Sequence, residues 1–552
     1  LKRLAVAEQG DLSQIDGFGG WYLKVLRSAL RHPGQVLLVT AALLVGIWHS
    51  YAMYGKGLEF FPDVETDFAA ILVHARGNLS IYQKDALMRE VEHRVLQLSD
   101  EFDSVYTRTG SAGGLGWEVS EDVIGQISLQ LADWAERRQA SEILADIRER
   151  TQDLAGIRVE ARRQEAGPPV GKPVQVQLAA RVPELLPVAV EKLRRFMTQL
   201  EGLEDVEDDR PLPGIEWKLA VDRSQAAKFG LDVTAVGDAI RLVSNGLVVG
   251  TYRPDDSDDE LDIVVRYPHH HRTVNELDDI RVATGAGTVP ISNFVQRSAQ
   301  RNVGTINRAD GRRVMAVRAD VAPGVLADDK IREIRAWLQQ GADLPAGVSW
   351  TFKGQEEEQK AAQQFLVQAF FVAIFLMAIV LVTQFNSFFS AFLVLSAIIV
   401  SSIGAVAGLL LTGQAFGIVV TGVGMIALAG VVVNDNIVLI DTYDQLKQNG
   451  AERTDAILRT GVLRLRPVIL TTVTTVLGLL PMLLRLNIDL INRDVAYAAP
   501  ITDWWVSLAT VVVFGLMFAT VLTLLITPCA LKLQADFHAW RQARRHGAAA
   551  ER

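Results

Sequence analysis

The sequence predicts an α-helical membrane domain of six transmembrane helices joined to a large α+β domain outside the bilayer. Two features of the 552-residue chain lead there. Apolar residues make up 49% and charged residues 22%, too apolar for an ordinary soluble enzyme and too charged for a chain lying wholly in lipid. The apolar weight is also uneven, with one span near residue 36, several after residue 364, and a segment rich in Asp, Glu and Arg between them. A third observation marks the chain's centre. In the run from Ala415 to Ile440 the polar triplet Asn434-Asp435-Asn436 interrupts otherwise apolar or small residues. A carboxylate inside a membrane helix costs ~2.5–3.5 kcal/mol on insertion scales, so it marks a candidate functional site. The other reading is a hydrogen-bonding cluster that joins helices or reaches interfacial water.

Composition excludes several classes. The net charge of −9 argues against nucleic acid as a partner. The single cysteine, Cys529, supports neither a disulfide framework nor a cysteine metal site. No nucleophile–base set, metal-ligand spacing or nucleotide loop is visible, so no catalytic residue, resident metal or cofactor is expected and the chain reads as a non-enzyme. It opens on Leu1 rather than Met, which points to a fragment or a processed chain, and no cleavable signal peptide is read.

In chain order, residues 1–34 form a short lead-in whose Trp21–Arg31 stretch puts Lys24, Arg27 and Arg31 on one helical face, fit to lie on a membrane surface. Residues 35–54 are the first transmembrane helix, at the required length of ~20 residues. Residues 55–360 are the extramembrane domain. Its segments read strand, helix, strand in turn: 68–74, 80–98 and from 104; then 124–131, 141–154 and 157–161; then 174–180, 185–200 and 203–208. Repetition of β-α-β at this size predicts ferredoxin-like subdomains.

Three stretches of this domain invite a chemical reading. Thr109–Trp117 is glycine-rich but lacks a phosphate-loop pattern, leaving a mobile substrate-facing loop or a plain connection. Residues 247–266 read as a hairpin whose acidic tip, 254–260, lacks the Gly and distal Glu of a calcium loop and reads as a solvated turn. His269-His270-His271 follows Pro268 in a turn and is not read as a metal site.

Residues 361–532 hold five further spans, near 365–383, 389–411, 416–440, 468–484 and 506–526, and residues 533–552 are a basic tail. Lys and Arg cluster before the first span, within 442–467 and at the C-terminus, all on one side if six spans are counted. That side is the cytoplasm, so the large domain lies outside it, in the periplasm of a bacterium.

Four motifs, in order, carry a resemblance: Gly57-Leu-Glu-Phe-Phe-Pro62, Gly430–Asp441, Arg464–Pro481 and Phe514–Pro528. Together they resemble the C-terminal half of a resistance-nodulation-division (RND) multidrug efflux permease, over nearly the whole chain from Trp21. The resemblance implies a trimeric inner-membrane secondary transporter, a proton antiporter that expels drugs or other small amphiphiles. Such a pump works with a periplasmic adaptor, an outer-membrane channel and the N-terminal half that is missing here or supplied as a partner chain. It implies porter subdomains at roughly 58–215 with 300–350, a docking segment between them, and a switch loop at Gly110, Gly113, Gly114, Gly116 and Trp117.

The resemblance also bears on proton coupling. The family's acid pair belongs to the other half. Many members carry a lysine where this chain has Asn434, and Asp435 follows where an amide is more usual. Thr471 matches a relay threonine. Read without the family, Asp435 is a carboxyl whose protonation can change in the membrane, with Asn434, Asn436 and Thr471 as possible hydrogen-bond partners. Asp441 and Arg464 read as interfacial anchors, and Asp489 and Asp494 as residues of a solvated loop. A protein-export accessory of the Sec type, with six helices and one large loop, and a truncated scaffold that only assembles with partners remain alternatives.

Overall fold

The structure is a computed structural model. It describes residues 15 and 17–550 except 63, 76, 78, 111–119, 121, 165–170, 211–214, 255–259, 274–275, 285–286, 302–304 and 492.

Helix α1 (Phe18–Arg31) is amphipathic as the spacing predicts: Tyr22, Leu23, Leu26 and Leu30 are buried while Lys24, Arg27 and Arg31 face outward. Helix α2 (Pro33–Tyr54) has no buried residue, the condition of a helix whose surroundings are lipid or another protein. Strand β1 (Leu58–Glu59) follows it.

The first α/β layer runs β2 (Phe68–Ala75), α3 (Ile81–Val95), β3 (Phe102–Thr109), β4 (Val123–Leu131), α4 (Ala140–Thr151) and β5 (Ile157–Arg163). Its sheet is antiparallel in the order β3-β4-β2-β5. Met88, Val91 and Val95 of α3 and Ile143, Leu144 and Ile147 of α4 are buried with strand residues such as Ile71 and Ile127.

The second layer begins with β6 (Val174–Ala180), α5 (Leu186–Gln199) and β7 (Leu203–Asp208). The chain then enters a separate compact unit, 211–306 with 76–80. There β8 (Ile215–Val221), α6 (Arg223–Lys228), α7 (Val233–Val243), β9 (Leu247–Tyr252), β10 (Leu261–Val265), β11 (Arg281–Thr284), β12 (Gly287–Pro290) and β13 (Val295–Arg301) surround a small core of Val236, Val243, Ile291 and Phe294. Side chains of Asp222 and Asp232 cap α6 and α7. The unit closes by antiparallel pairing of β8 with β13.

The second layer resumes with β14 (Asn307–Ala309), β15 (Arg312–Val321), α8 (Ala327–Gln339) and β16 (Val348–Lys353). Its strands run β14-β15-β6-β16, with β7 also on β15, again antiparallel. Apart from the short β14, which only extends the sheet beside β15, both layers have the chain order β-α-β-β-α-β. One core unites Val176, Leu178, Leu193, Met197, Val317, Ile331 and Ile334.

Gly354, with φ 66, turns β16 directly into α9 (Gln355–Phe385). The remaining helices are α10 (Phe388–Thr412), α11 (Ile418–Gln448), α12 (Arg453–Leu483) and α13 (Pro500–Ala550), with β17 (Phe416–Gly417) before α11. Six helices among the described residues are long and apolar enough to cross a membrane. Hydropathy marks only their lipid-compatible parts. Helix α12 starts at Arg453, not near Val468, and Phe416 belongs to a short strand rather than to the span that follows.

Small residues set the helix contacts. A Cβ on Gly404 would lie 2.3 Å from the carbonyl oxygen of Phe514, and one on Gly408 would lie 2.7 Å from the Phe514 side chain, so α10 and α13 touch backbone to backbone. Gly515 admits Leu428 of α11, and Gly424 faces Leu508. Strands β1 and β17 pair in parallel, Leu58 with Phe416. That pairing fixes the exit of α2 and the α10–α11 turn on one side, the side of the two sheets. At the other end Tyr22 donates to the carbonyl of Leu524 at 2.8 Å, and the Arg464 Nε donates to Thr442 at 2.5 Å. The Asp489–Asp494 region, expected as a loop, is an antiparallel hairpin of β18 (Leu486–Asp489) and β19 (Asp494–Tyr497).

Candidate functional site

The triplet Asn434-Asp435-Asn436 lies just past the middle of α11, and successive helical residues are about 100° apart, so its members point differently. Asp435 and Asn436 turn inward and are 6% and 1% exposed. Asn436 is fixed: Thr527 of α13 donates to its Oδ1 at 2.8 Å. Among the described residues no hydrogen bond or ion pair reaches the Asp435 carboxylate. Asn434 turns outward, on the same exposed strip of α11 as Val423, Ala427 and Gly430.

Thr471 also turns outward, and its hydroxyl donates to the carbonyl of Pro467 in its own helix at 3.0 Å. The hydrogen-bonded group expected around Asp435 from Asn434, Asn436 and Thr471 is therefore not formed. Two residues sit outside and one is engaged elsewhere. The buried threonine is the next one: Thr472 shares a 2.7 Å hydrogen bond with Thr520 of α13. Thr472, Thr520 and Thr527 were not singled out from sequence. Their signal was threonine inside apolar helices at positions facing another helix.

Gly110 follows β3 directly with φ 121, a left-handed conformation that favours glycine. Gly113, Gly114, Gly116 and Trp117 lie outside the described residues, as does most of the acidic tip at 255–259.

A second polar site, unread in the sequence, joins the two sheets. Lys172, 1% exposed, places its Nζ 3.0 Å from Glu160 of β5, 3.5 Å from Asp320 of β15 and 3.7 Å from Glu207 of β7, and donates to the Asp205 carbonyl at 2.5 Å. Arg158 reaches Asp205 at 3.1 Å, and Arg162 lies 3.5 Å from Glu160 and 3.7 Å from Asp320. His74 of β2 bridges Asp122 at 2.9 Å and Glu160 at 3.2 Å.

Burial alone would raise the Glu160 pKa, but the His74 hydrogen bond and the Lys172 charge bring it down to about 2. Burial works against the His74 cation, yet its two carboxylate bonds raise its pKa above the ordinary 6.5. Burial pushes Asp205, Glu207 and Asp320 up. Glu160, Asp205 and Asp320 offer oxygens within 4.8 Å of one another, the one metal-competent group among the described residues. The ammonium of Lys172 lies among these acids and, with the guanidinium groups of Arg158 and Arg162, supplies the positive charge there.

Comparison with known proteins places this geometry. The AcrB/AcrD/AcrF family matches residues 15–533. The chain is 27% identical over 537 residues to the cobalt-zinc-cadmium resistance protein CzcA of Cupriavidus metallidurans, covering 93% of this chain and 48% of that protein. It is 25% identical over 528 residues to the multidrug resistance protein MdtC of Erwinia amylovora, covering 92% and 48%. The fold superposes on a crystal structure of a heavy metal efflux pump with TM-score 0.73 at 22% identity, over 93% of this chain and 51% of that one. The chain spans about half the length of the curated relatives it matches. With that match across the membrane helices and both sheets, the chain belongs to the AcrB/AcrD/AcrF family of RND permeases.

Proposed function

We propose that the chain acts as the second half of a proton-driven efflux permease in a bacterial inner membrane, and that Asp435 is the group in this half that takes up and releases the proton. The observation that carries the reading is a buried carboxylate in a membrane helix without a cation or donor beside it among the described residues. An acid kept at such a cost is one whose charge has a use in the membrane. Asn434 and Thr471, polar yet outward on α11 and α12, then face helices of the companion half rather than lipid. The two β-α-β-β-α-β layers serve as ferredoxin-like porter subdomains in the periplasm, and unit 211–306 as the docking segment. Assembly is as a trimer with an adaptor and an outer-membrane channel.

For the substrate, the relatives named for cobalt, zinc and cadmium resistance support a divalent heavy-metal cation as the first reading. The relative named for multidrug resistance supports an amphiphile as the second. The test is expression in a pump-deficient strain with a companion N-terminal half, scoring growth on zinc, cobalt and cadmium against efflux of a dye. The expected result is metal resistance with both halves and none from residues 1–552 alone. Resistance from this chain without a partner half overturns the half-permease reading, and dye efflux without metal resistance selects the second substrate.

A further inference from the structure

Among the described residues the most exposed large apolar side chains are Leu490 and Ile491, 84% and 92% exposed, at the tip of the β18–β19 hairpin. Ile488 and Val495 on its strands and Tyr497 at its base are also exposed, at 51%, 63% and 66%. Asp489, Arg493 and Asp494 flank the tip, yet the two side chains it presents most openly, Leu490 and Ile491, are apolar, and a two-stranded hairpin alone is marginal in water. Its place in the chain says what surrounds it. The strands begin three residues after α12 ends at Leu483 and finish three residues before α13 starts at Pro500, so both roots are within a helical turn of a membrane span. The Ala498 N–H donates to the Arg485 carbonyl at 2.8 Å, closing the root, and Arg485 pairs with Asp503 of α13 at 3.4 Å.

The root also carries the side chains that settle at a lipid–water boundary. Tyr497 and Trp505 are exposed, and Trp504 stacks on Phe61 just after β1 with ring centroids 5.3 Å apart. Aromatic rings of this kind mark the headgroup level, and Arg485 and Arg493 beside them suit lipid phosphates. From that level a tip four residues away reaches at most ~14 Å at ~3.4 Å per residue, enough to meet the outer acyl chains and too short to leave the near leaflet.

We propose that this hairpin lies in the periplasmic surface of the bilayer, with Leu490 and Ile491 inserted among the acyl chains below the headgroups and Arg493 at the phosphates. The occupant of its apolar surface is phospholipid, continuous with the lipid around α12 and α13. The proposal rests on the membrane-spanning reading of the helices. The hairpin is a shallow anchor that holds the outer ends of α12 and α13 at a fixed depth.

The buried Cys529 is the chain's single cysteine, so a spin label can be placed at one site after Cys529→Ala. Labels at Ile491→Cys and, as a second position, Ile488→Cys in the full chain in phosphatidylethanolamine–phosphatidylglycerol vesicles would be probed with oxygen and with a water-soluble nickel chelate. Val45→Cys on α2 and Tyr106→Cys on β3 serve as lipid and water references, both positions being exposed. The expected result is a label at 491 more accessible to oxygen than to nickel, with 488 nearer the surface. Nickel access at 491 equal to that at 106 overturns the proposal. Protection from both reagents overturns it too, since a protein then covers the tip. A water-like signal at 45 would instead fault the membrane reading itself.

Discussion

Thr527 donates its hydroxyl proton to the Oδ1 of Asn436 at 2.8 Å, and so α13 holds α11 by the residue directly after Asp435. The bond fixes the rotation of α11 at the point where the carboxylate turns inward. Replacing Thr527 by Val removes the donor with little change of shape and leaves a buried amide oxygen without it. Interhelical hydrogen bonds in membranes average ~0.6 kcal/mol, so a modest loss of stability is expected. Replacing Asp435 by Asn keeps the size and removes the titratable group. If Asp435 carries the proton as proposed, Asp435→Asn in the complete assembly is expected to cut proton-dependent efflux by about tenfold or more, with the yield of assembly unchanged. Unaltered efflux and proton dependence would make Asp435 a packing residue.

Gly404 and Gly408 test the helix contact itself. Their missing side chains admit Phe514, and a Cβ at 404 has the carbonyl oxygen of Phe514 at 2.3 Å, backbone that cannot swing away. Gly404→Ala is expected to cost ~1–3 kcal/mol, the range for overpacking a filled core. Gly430→Ala should be near neutral in the isolated chain, because nothing lies within 4 Å of a Cβ there. Thermal unfolding in detergent compares the two.

Lys172 gathers acids from both sheets, and its removal leaves the buried Glu160 and the half-buried Asp320 without that ammonium. Breaking a buried ion pair by deleting one partner costs ~3–5 kcal/mol, so Lys172→Ala should lower the melting temperature clearly. The same variant opens a place among Glu160, Asp205 and Asp320. Millimolar calcium or zinc is then expected to recover part of the loss in Lys172→Ala and none in the parent. Equal response of the two proteins would refute the idea that the ammonium stands in for a cation.

What the sequence made legible here follows from how local each signal is. The strand and helix order of both layers rests on periodicity, as at Val91 and Val95 of α3, and periodicity is local. The sheet-joining site is not: Lys172 meets partners at 160, 205, 207 and 320, which nothing near residue 172 announces. Among the long apolar helices, hydropathy marked the stretches fit to cross a membrane but not the helix ends, since the turns of α12 from Arg453 carry polar residues and pack against α1. Thr471 and Thr472 show the finest limit. One residue of helix rotation separates an outward hydroxyl from one bonded across to Thr520, and only packing tells them apart.

His74 gives a pH dependence of defined sign. Its pKa is raised in the folded protein, so its stabilisation is complete below 6.5 and is lost as pH rises through the folded value. Glu160 is depressed to about 2 from 4.5, so its share is complete above 4.5 and is lost as pH falls toward 2. The pair therefore helps most between those two ordinary values. His74→Gln should lower the melting temperature most near about pH 5.5 and least near about pH 9. A difference independent of pH would mean that the ring acts by shape rather than by charge.

Glu356 stands where the second sheet becomes a membrane helix. Strand β16 passes through Gly354 into α9 without a loop, and Glu356, buried in the first turn, pairs with Arg335 of α8 and Lys360 of its own helix. The two cations hold α8 and the start of α9 together, so a shift of the sheet must move the helix. Glu356→Ala leaves Arg335 without this partner and frees the first turn of α9 to fray. Amide exchange over residues 354–360 is expected to speed up on the order of tenfold, while exchange in the middle of α9 stays as it was. If the chain works in a trimeric permease as proposed and its sheet and helix must move as one piece, the variant should keep the assembly and lose transport. Normal transport with a frayed first turn would show that coupling between sheet and membrane runs through another contact.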